Sequence, residues 1–429
     1  MHNPGDKVRI ITDSEEFEGI LMPRPEILDK EVTVIKLDSG YNIGIDNKKI
    51  KKIEVLEKYA PNKKTKFELK HKKGLPNVTI MSTGGTISSK IDYRTGGVYA
   101  DYTAEDFIEM CPELEEIANL KAKKIMSIMS EDMVPKNWID IAKEVEKELN
   151  SGADGVVLTH GTDTMHFTTA ALSFFLKDLS KPVIFTAAQR SIDRGSSDAF
   201  MNLICSVAAA AKSDIAEVMT CMHGTTNDDY CILIRGSKVR KMHTSRRDAF
   251  RPVNELPLAK VYSDGKIEIT NKNYNKRSDK KVTLENRFED KTALIQIYPG
   301  MDPEIIDFYV KKGYKGIVIS ATALGHTPTE TSPLNLLPAI KKAIDKGVAV
   351  VIASQTLYGR VHPYVYTNLR KLSIDLSCIF VEDMLPETAY IKLGWVLSQT
   401  TKPEKIREAM LTNVAGEITE RTENNTFLY

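Results

Sequence analysis

Short alternating apolar runs open the chain: Lys7–Ile11, Phe17–Met22, Glu31–Leu37 and Tyr41–Ile45, divided by Pro23, Pro25 and the turn formers Asp38-Ser39-Gly40. A period of two over about five residues gives a strand with one buried face, and several such strands at close spacing suggest a small antiparallel barrel. The pattern therefore predicts an SH3- or Sm-like β-barrel over residues 1–58. From Pro76 the rhythm changes. Continuous apolar runs now lead into polar loops and then into helical stretches. Val78–Met81 enters Gly84-Gly85. Gly155–Thr159 enters His160-Gly161, with an apolar helix from about Met165. Pro182–Ala187 precedes a helix through Ala199–Ala211. Strands without polar alternation that alternate with helices belong to a parallel sheet covered on both faces. The same rhythm returns in Ala293–Tyr298, Gly316–Ser320 and Val348–Ala353. The expected fold class is therefore α/β. A large, doubly wound parallel-sheet domain spans residues 76–271, a linker 272–290 and a smaller C-terminal α/β domain 291–429.

Charge changes this picture at one place. Between Lys48 and Lys73 stand eleven lysines against three acids. Residues 59–75 read as a lysine-rich linker, and the stretch has two readings: a solvated connector, or a stripe of point charges facing nucleic-acid phosphates. Over all 429 residues the charges nearly cancel, 59 Lys+Arg against 58 Asp+Glu, so net charge gives no reason to expect a nucleic-acid binder. No apolar run approaches the ~20 residues of a membrane span. The N-terminal residues lack a signal-peptide apolar core. The five cysteines are scattered without a C-x-x-C pair, which argues against a disulfide framework or a zinc ribbon. A cytoplasmic location is the expectation.

Ligands of open parallel sheets bind at the carboxyl ends of the strands, and two loops there hold candidate chemistry. Ser82-Thr83-Gly84-Gly85-Thr86-Ile87 follows the first strand; its glycines allow a ligand close to the backbone, and Thr86 projects from the turn. His160-Gly161-Thr162-Asp163-Thr164-Met165 follows the second and opens a helix, whose N–H groups favour an anionic group or a developing oxyanion. Either loop taken alone is more often a turn with a helix cap. The phosphate-cradling, dinucleotide-binding, H-E-x-x-H and G-x-S-x-G patterns are all absent, and the histidines do not cluster at metal-ligand spacing. A basic segment, Arg235–Phe250, contributes Lys241. A threonine hydroxyl is a poor nucleophile at neutral pH, and a lysine beside an aspartate can serve it as base or relay.

Taken together, Thr83–Ile87, His160–Met165 and the segment from Lys241 to Asp248-Ala249-Phe250 resemble the signature loops of bacterial-type L-asparaginases. The resemblance runs from Pro76 to Ser398 and implies the asparaginase-like fold. It implies Thr86 as the nucleophile on the side-chain amide carbon, ahead of Thr162. Thr162, Asp163 and Lys241 would form the second catalytic group, with Asp163 also holding the substrate α-amino group. Gly85, Ser130, Glu131 and Gly161 fall in substrate-binding positions, Glu131 where the family usually carries Gln. Tyr93 and Tyr99 stand where a catalytic tyrosine is expected, and Tyr99 is preferred.

The N-terminal barrel with its connector, the Lys405–Arg421 tail and the wording Lys241–Phe250 are similar to the D subunits of archaeal-type glutamyl-tRNA(Gln) amidotransferases. That resemblance implies a glutaminase that supplies ammonia to a separate E subunit, which converts Glu-tRNA(Gln) to Gln-tRNA(Gln). No cofactor is expected in this chain; ATP and Mg²⁺ would be used by the partner. A D₂E₂ assembly with D–D contacts is implied as well. Two alternatives stay open: a free L-asparaginase, and a catalytically inactive binding or scaffold protein of the same fold.

Overall fold

The computed structural model describes residues 2–22, 31–38, 42–59, 71–85, 89–91, 98–100, 111–192 and 196–429, those of 89–91 and 98–100 by backbone only. The N-terminal block forms β1 (Lys7–Thr12), β2 (Glu16–Leu21), β3 (Val32–Lys36), β4 (Asn42–Asp46) and β5 (Ile50–Glu57), an antiparallel sheet in the order β4-β3-β2-β1-β5. It curls around Val8, Ile10, Leu21, Ile35 and Ile45. The fifth strand takes up the start of the lysine-rich stretch. Lys51 and Lys52 turn outward, where exposed Asp13 and half-buried Glu54 meet them at 2.6 and 2.7 Å. Lys63, Lys64, Lys66 and Lys70 of the expected linker lie outside the described residues. Past them, Asn119 fixes the chain to the next domain by accepting from the Lys72 amide and donating to the Lys72 and Leu75 carbonyls.

The second block begins with β6 (Asn77–Ser82), the hairpin β7 (Ser89–Ile91) and β8 (Val98–Ala100), β9 (Asn119–Lys124), α1 (Pro135–Asn150), β10 (Gly155–Thr159) and α2 (Met165–Phe175). It continues through β11 (Leu176–Lys177), β12 (Val183–Thr186), α3 (Ala199–Lys212), β13 (Val218–His223), β14 (Cys231–Arg235), β15 (Val239–Lys241), β16 (Phe250–Pro252), β17 (Ala259–Val261) and β18 (Ile267–Ile269). The main sheet has the order β18-β17-β14-β13-β12-β10-β6-β9. The strands from β13 to β9 are parallel, as expected; β14, β17 and β18 add an antiparallel edge, where connections without helices, one of them carrying the β15–β16 hairpin, replace helical crossovers. α1 begins at Pro135, with the Asn137 side chain accepting from the Val134 amide, and buries Trp138, Ile141, Ala142, Val145 and Leu149 along one stripe.

Residues 272–290 run along the large domain. Arg277 donates to the Asp154, Ala210 and Ser213 carbonyls, and β19 (Thr283–Leu284) pairs with β11. The last block forms a four-stranded parallel sheet of β20 (Thr292–Gln296), β21 (Gly316–Ala321), β22 (Ala349–Ser354) and β23 (Ile379–Phe380). Its helices are α4 (Glu304–Lys311), α5 (Leu337–Asp345), the single turn α6 (Thr367–Arg370), α7 (Pro386–Leu397) and α8 (Pro403–Leu411). One apolar cluster joins the two α/β blocks. It passes from Leu158 and Phe185 through Phe174 on α2 to Trp395 on α7 and on to Val318 and Val351. Phe174 and Trp395 stack with centroids 5.7 Å apart. The site-bearing helix α2 is thus buried on nearly every side, which makes it a rigid base. No helix among the described residues is long and apolar enough to cross a membrane.

Candidate active site

Three loops meet above the carboxyl ends of β6, β9 and β10, and glycine decides how closely. The Thr83 amide and hydroxyl both donate to the Thr159 carbonyl, at 3.1 and 2.9 Å, so the loop after β6 starts by leaning on β10. Gly85 has φ +80°, and a Cβ there would sit 2.3 Å from the Gly161 amide nitrogen. A Cβ on Gly161 would sit 2.7 Å from the Ser130 Cβ. These two positions exclude every side chain, which brings the three backbones into contact.

Ser130 is the pin between the second and third loops. Its side chain is buried, its Oγ accepts from the Asp163 amide at 3.3 Å, and its carbonyl accepts from the Thr164 hydroxyl at 2.6 Å. Glu131 beside it is exposed. Below the loop, His160 directs Nδ1 at the Gly161 carbonyl, 2.7 Å away, which leaves Nε2 to accept from the Thr168 hydroxyl at 2.9 Å. Burial pushes the His160 imidazole down to about 4, so it is neutral at neutral pH and holds the loop as a fixed tautomer.

Lys241 arrives from the far edge of the domain at the end of β15. Its Nζ lies 2.8 Å from Thr162 Oγ1 and 2.6 Å from Asp163 Oδ1, with the lysine largely buried and the aspartate open to solvent. Thr162 Oγ1 also lies 3.4 Å from Asp163 Oδ1. The structure therefore brings Gly85, Ser130, Gly161, Thr162, Asp163 and Lys241 to one place. Thr86 and Tyr93 lie outside the described residues. Tyr99 sits on β8 opposite Lys90, and its side chain is not described.

The loop beyond Lys241 is closed by the β15–β16 hairpin, where Lys241 pairs with Phe250. Inside the hairpin, Asp248 binds both Arg246 and Arg251; the Arg246 hydrogen bond leads in holding its carboxyl below the usual range, against burial. Sequence reasoning missed two groups of supports. One is β9, whose three lysines disguise a strand that leads to Ser130. The other is the acids that hold the β15 segment from the C-terminal block: Asp383 pairs with Lys238, and Glu387 with Arg240. No local pattern signals pairs so distant in sequence.

The chain matches three family models in succession: the GatD N-terminal domain over residues 2–56, the N-terminal asparaginase domain over 77–275, and the glutaminase/asparaginase C-terminal domain over 291–410. It is 56% identical to the glutamyl-tRNA(Gln) amidotransferase D subunit of Pyrococcus furiosus, an alignment covering 99% of this chain and 97% of that one. The chain belongs to the family of glutamyl-tRNA(Gln) amidotransferase D subunits. The family member from Pyrococcus abyssi is 54% identical over the same shares of the two chains. The fold is also that of a solved enzyme, the thermostable L-asparaginase of Thermococcus kodakarensis, at 28% identity and a TM-score of 0.70. That match covers 80% of this chain and 99% of the asparaginase. The N-terminal sheet falls outside both asparaginase models and is what the amidotransferase family adds ahead of them.

Proposed function

We propose that this chain is the glutaminase component of a tRNA-dependent amidotransferase. It hydrolyses glutamine to glutamate and ammonia, and the ammonia passes to an E subunit that converts Glu-tRNA(Gln) to Gln-tRNA(Gln). The observation that carries the reading is Lys241 Nζ bridging Thr162 Oγ1 and Asp163 Oδ1 at the mouth of the parallel sheet, within a chain that matches the amidotransferase D subunits end to end.

In this reading Thr86 attacks the side-chain amide carbon. Its proton passes towards the leaving nitrogen by way of the Lys241 group, the C–N bond breaks and ammonia departs. Water then cleaves the resulting ester, which restores the Thr86 hydroxyl and releases glutamate. Asp163, exposed and one residue from Thr162, is placed to bind the substrate α-amino group. Ser130 and Glu131 edge the same opening and serve the α-amino and α-carboxylate groups. Tyr99 completes the site. Gly85 and Gly161 present backbone to the substrate. The chain uses no cofactor of its own; ATP and Mg²⁺ act on the E subunit. The assembly is D₂E₂.

The test is ammonia release from glutamine and from asparagine, by the chain alone and then with the E subunit and Glu-tRNA(Gln). Glutamine hydrolysis that rises in the full mixture is expected, and Thr86→Val removes it. The fold shared with the Thermococcus asparaginase keeps a second reading in play. Rapid asparagine hydrolysis by the lone chain, indifferent to the additions, would establish a free asparaginase instead.

A further inference from the structure

The seven residues that end at Lys241 hold Arg235, Lys238, Arg240 and Lys241 itself, and the chain disposes of each cation differently. Successive residues of an extended strand face opposite ways. Lys238, in the turn before β15, and Arg240 both reach the C-terminal domain, and Lys241, next along β15 from Arg240, faces the site. Lys238 Nζ lies 2.6 Å from Asp383 Oδ2 with both side chains fully buried, and Arg240 lies 2.6 Å from Glu387 Oε1. Asp383 and Glu387 bracket the start of α7. A buried ammonium demands a fully hydrogen-bonded partner, and Thr419 supplies the bonds that complete Asp383. The Thr419 amide donates to Oδ1 at 2.9 Å and the Thr419 hydroxyl to Oδ2 at 2.5 Å, so one residue of the C-terminal tail fixes both carboxylate oxygens.

The tail is itself tied down on either side of the strand. Ser237 Oγ donates to the Ala415 carbonyl, and the Ser237 carbonyl accepts from Thr388. Glu417 accepts from the Val414 and Ala415 amides and pairs with buried Lys392. From α2, the Thr169 hydroxyl donates to the Gly236 carbonyl at 3.0 Å.

We propose that Asp383 and Thr419 are positioning residues for Lys241: the tail orients the Asp383 carboxylate, which seats Lys238, and the seated strand sets Lys241 Nζ against Thr162 and Asp163. Neither residue touches the reacting atoms. The inference rests on the role given to Lys241 under the proposed function. A strand anchored this way loses rate rather than substrate affinity when the anchor slips, because a catalytic group misplaced by about an ångström can cost up to about 100-fold in turnover.

The experiment measures glutamine hydrolysis by the full chain with the E subunit and Glu-tRNA(Gln), comparing Thr419→Val, Thr419→Ser, Asp383→Asn and Lys241→Met, with thermal unfolding of each. The expected result is a fall in kcat of about tenfold for Thr419→Val with KM unchanged, and recovery for Thr419→Ser, which keeps the hydroxyl. Thr419→Val is nearly isosteric at a half-buried position, so it reports even if Asp383→Asn fails to fold. A Thr419→Val enzyme with wild-type kcat, alongside an inactive Lys241→Met, overturns the positioning role alone. An active Lys241→Met overturns the site itself. A rise in KM with kcat intact would place Thr419 in a substrate-binding role and reject the inference.

Discussion

Two cation-rich stretches, β5 in the N-terminal sheet and the Arg235–Lys241 segment, look alike in sequence and differ in what surrounds them. Lys51 and Lys52 pair with Asp13 and Glu54 at the surface, all four side chains well hydrated or nearly so. Lys238 pairs with Asp383 where neither side chain meets solvent, and Arg235 is enclosed by Glu217 and Glu255. Exposed pairs contribute at most about 1 kcal/mol, since water and salt compete for each charge. A buried pair adds little compared with an apolar replacement, yet breaking it strands a charge at about 3–5 kcal/mol. Burial pushes the Lys238 ammonium down, and Asp383 works against that shift. A charge run by itself therefore locates neither a binding stripe nor a site. The carboxylates that meet it, and how dry they are, decide what it does.

The largest expected effect comes at the end of the buried segment. Lys241→Met should lower glutamine turnover by at least about 100-fold, since it removes the bridge between Thr162 and Asp163; steady-state ammonia release reads it. Next, Asp383→Ala should destabilise the chain by about 3–5 kcal/mol because Lys238 stays buried without its anion. Denaturant unfolding reads that loss, and a drop below about 1 kcal/mol would erase the contrast between the two stretches.

A third effect, outside both stretches, depends on pH. His160 falls from an ordinary value near 6.5 to about 4 in the folded chain, so below pH 6.5 the unfolded chain binds a proton that the folded one refuses. Stability is therefore unaffected above pH 6.5 and declines as pH falls from there to 4, by up to about 3 kcal/mol from this group. A melting temperature that falls less steeply across that window in His160→Asn than in the unsubstituted chain checks the sign. Asp248 adds a decline with the same sign at lower pH. Its contribution is complete above the usual carboxylate value and is lost as pH drops through the lowered folded one. The smallest effect belongs to β5: Lys51→Ala and Lys52→Ala should each change stability by under about 1 kcal/mol.

The parallel strands β6, β10, β12, β20, β21 and β22 were readable because each is a continuous apolar run ending at a glycine or polar loop. That Thr162, Asp163 and Lys241 lie together was readable only through the resemblance of three loops to one family, since either threonine-bearing loop alone reads as a turn with a helix cap. β9 was not: Leu120 and Ala122 alternate inward, but Lys121, Lys123 and Lys124 dominate the eye, and the acids that receive the first two stand on α1, Glu148 for Lys121 and Glu144 and Glu148 for Lys123. The antiparallel edge β14-β17-β18 is joined by connections without helices, the β15–β16 hairpin among them, which a strand-helix rhythm hides. The supports of Lys241 were unreadable for a different reason. Asp383 and Glu387 owe their meaning to a partner more than a hundred residues away, and residue patterns carry no record of such a distance.

The route by which Lys238 is seated also has a consequence for synthesis. A ribosome delivers Lys238 145 residues before Asp383, and Ser237 178 residues before Ala415. For the 145 residues in between, the Lys238 ammonium has no Asp383 to receive it, so this edge of the large domain takes its final form only once the C-terminal block has been made.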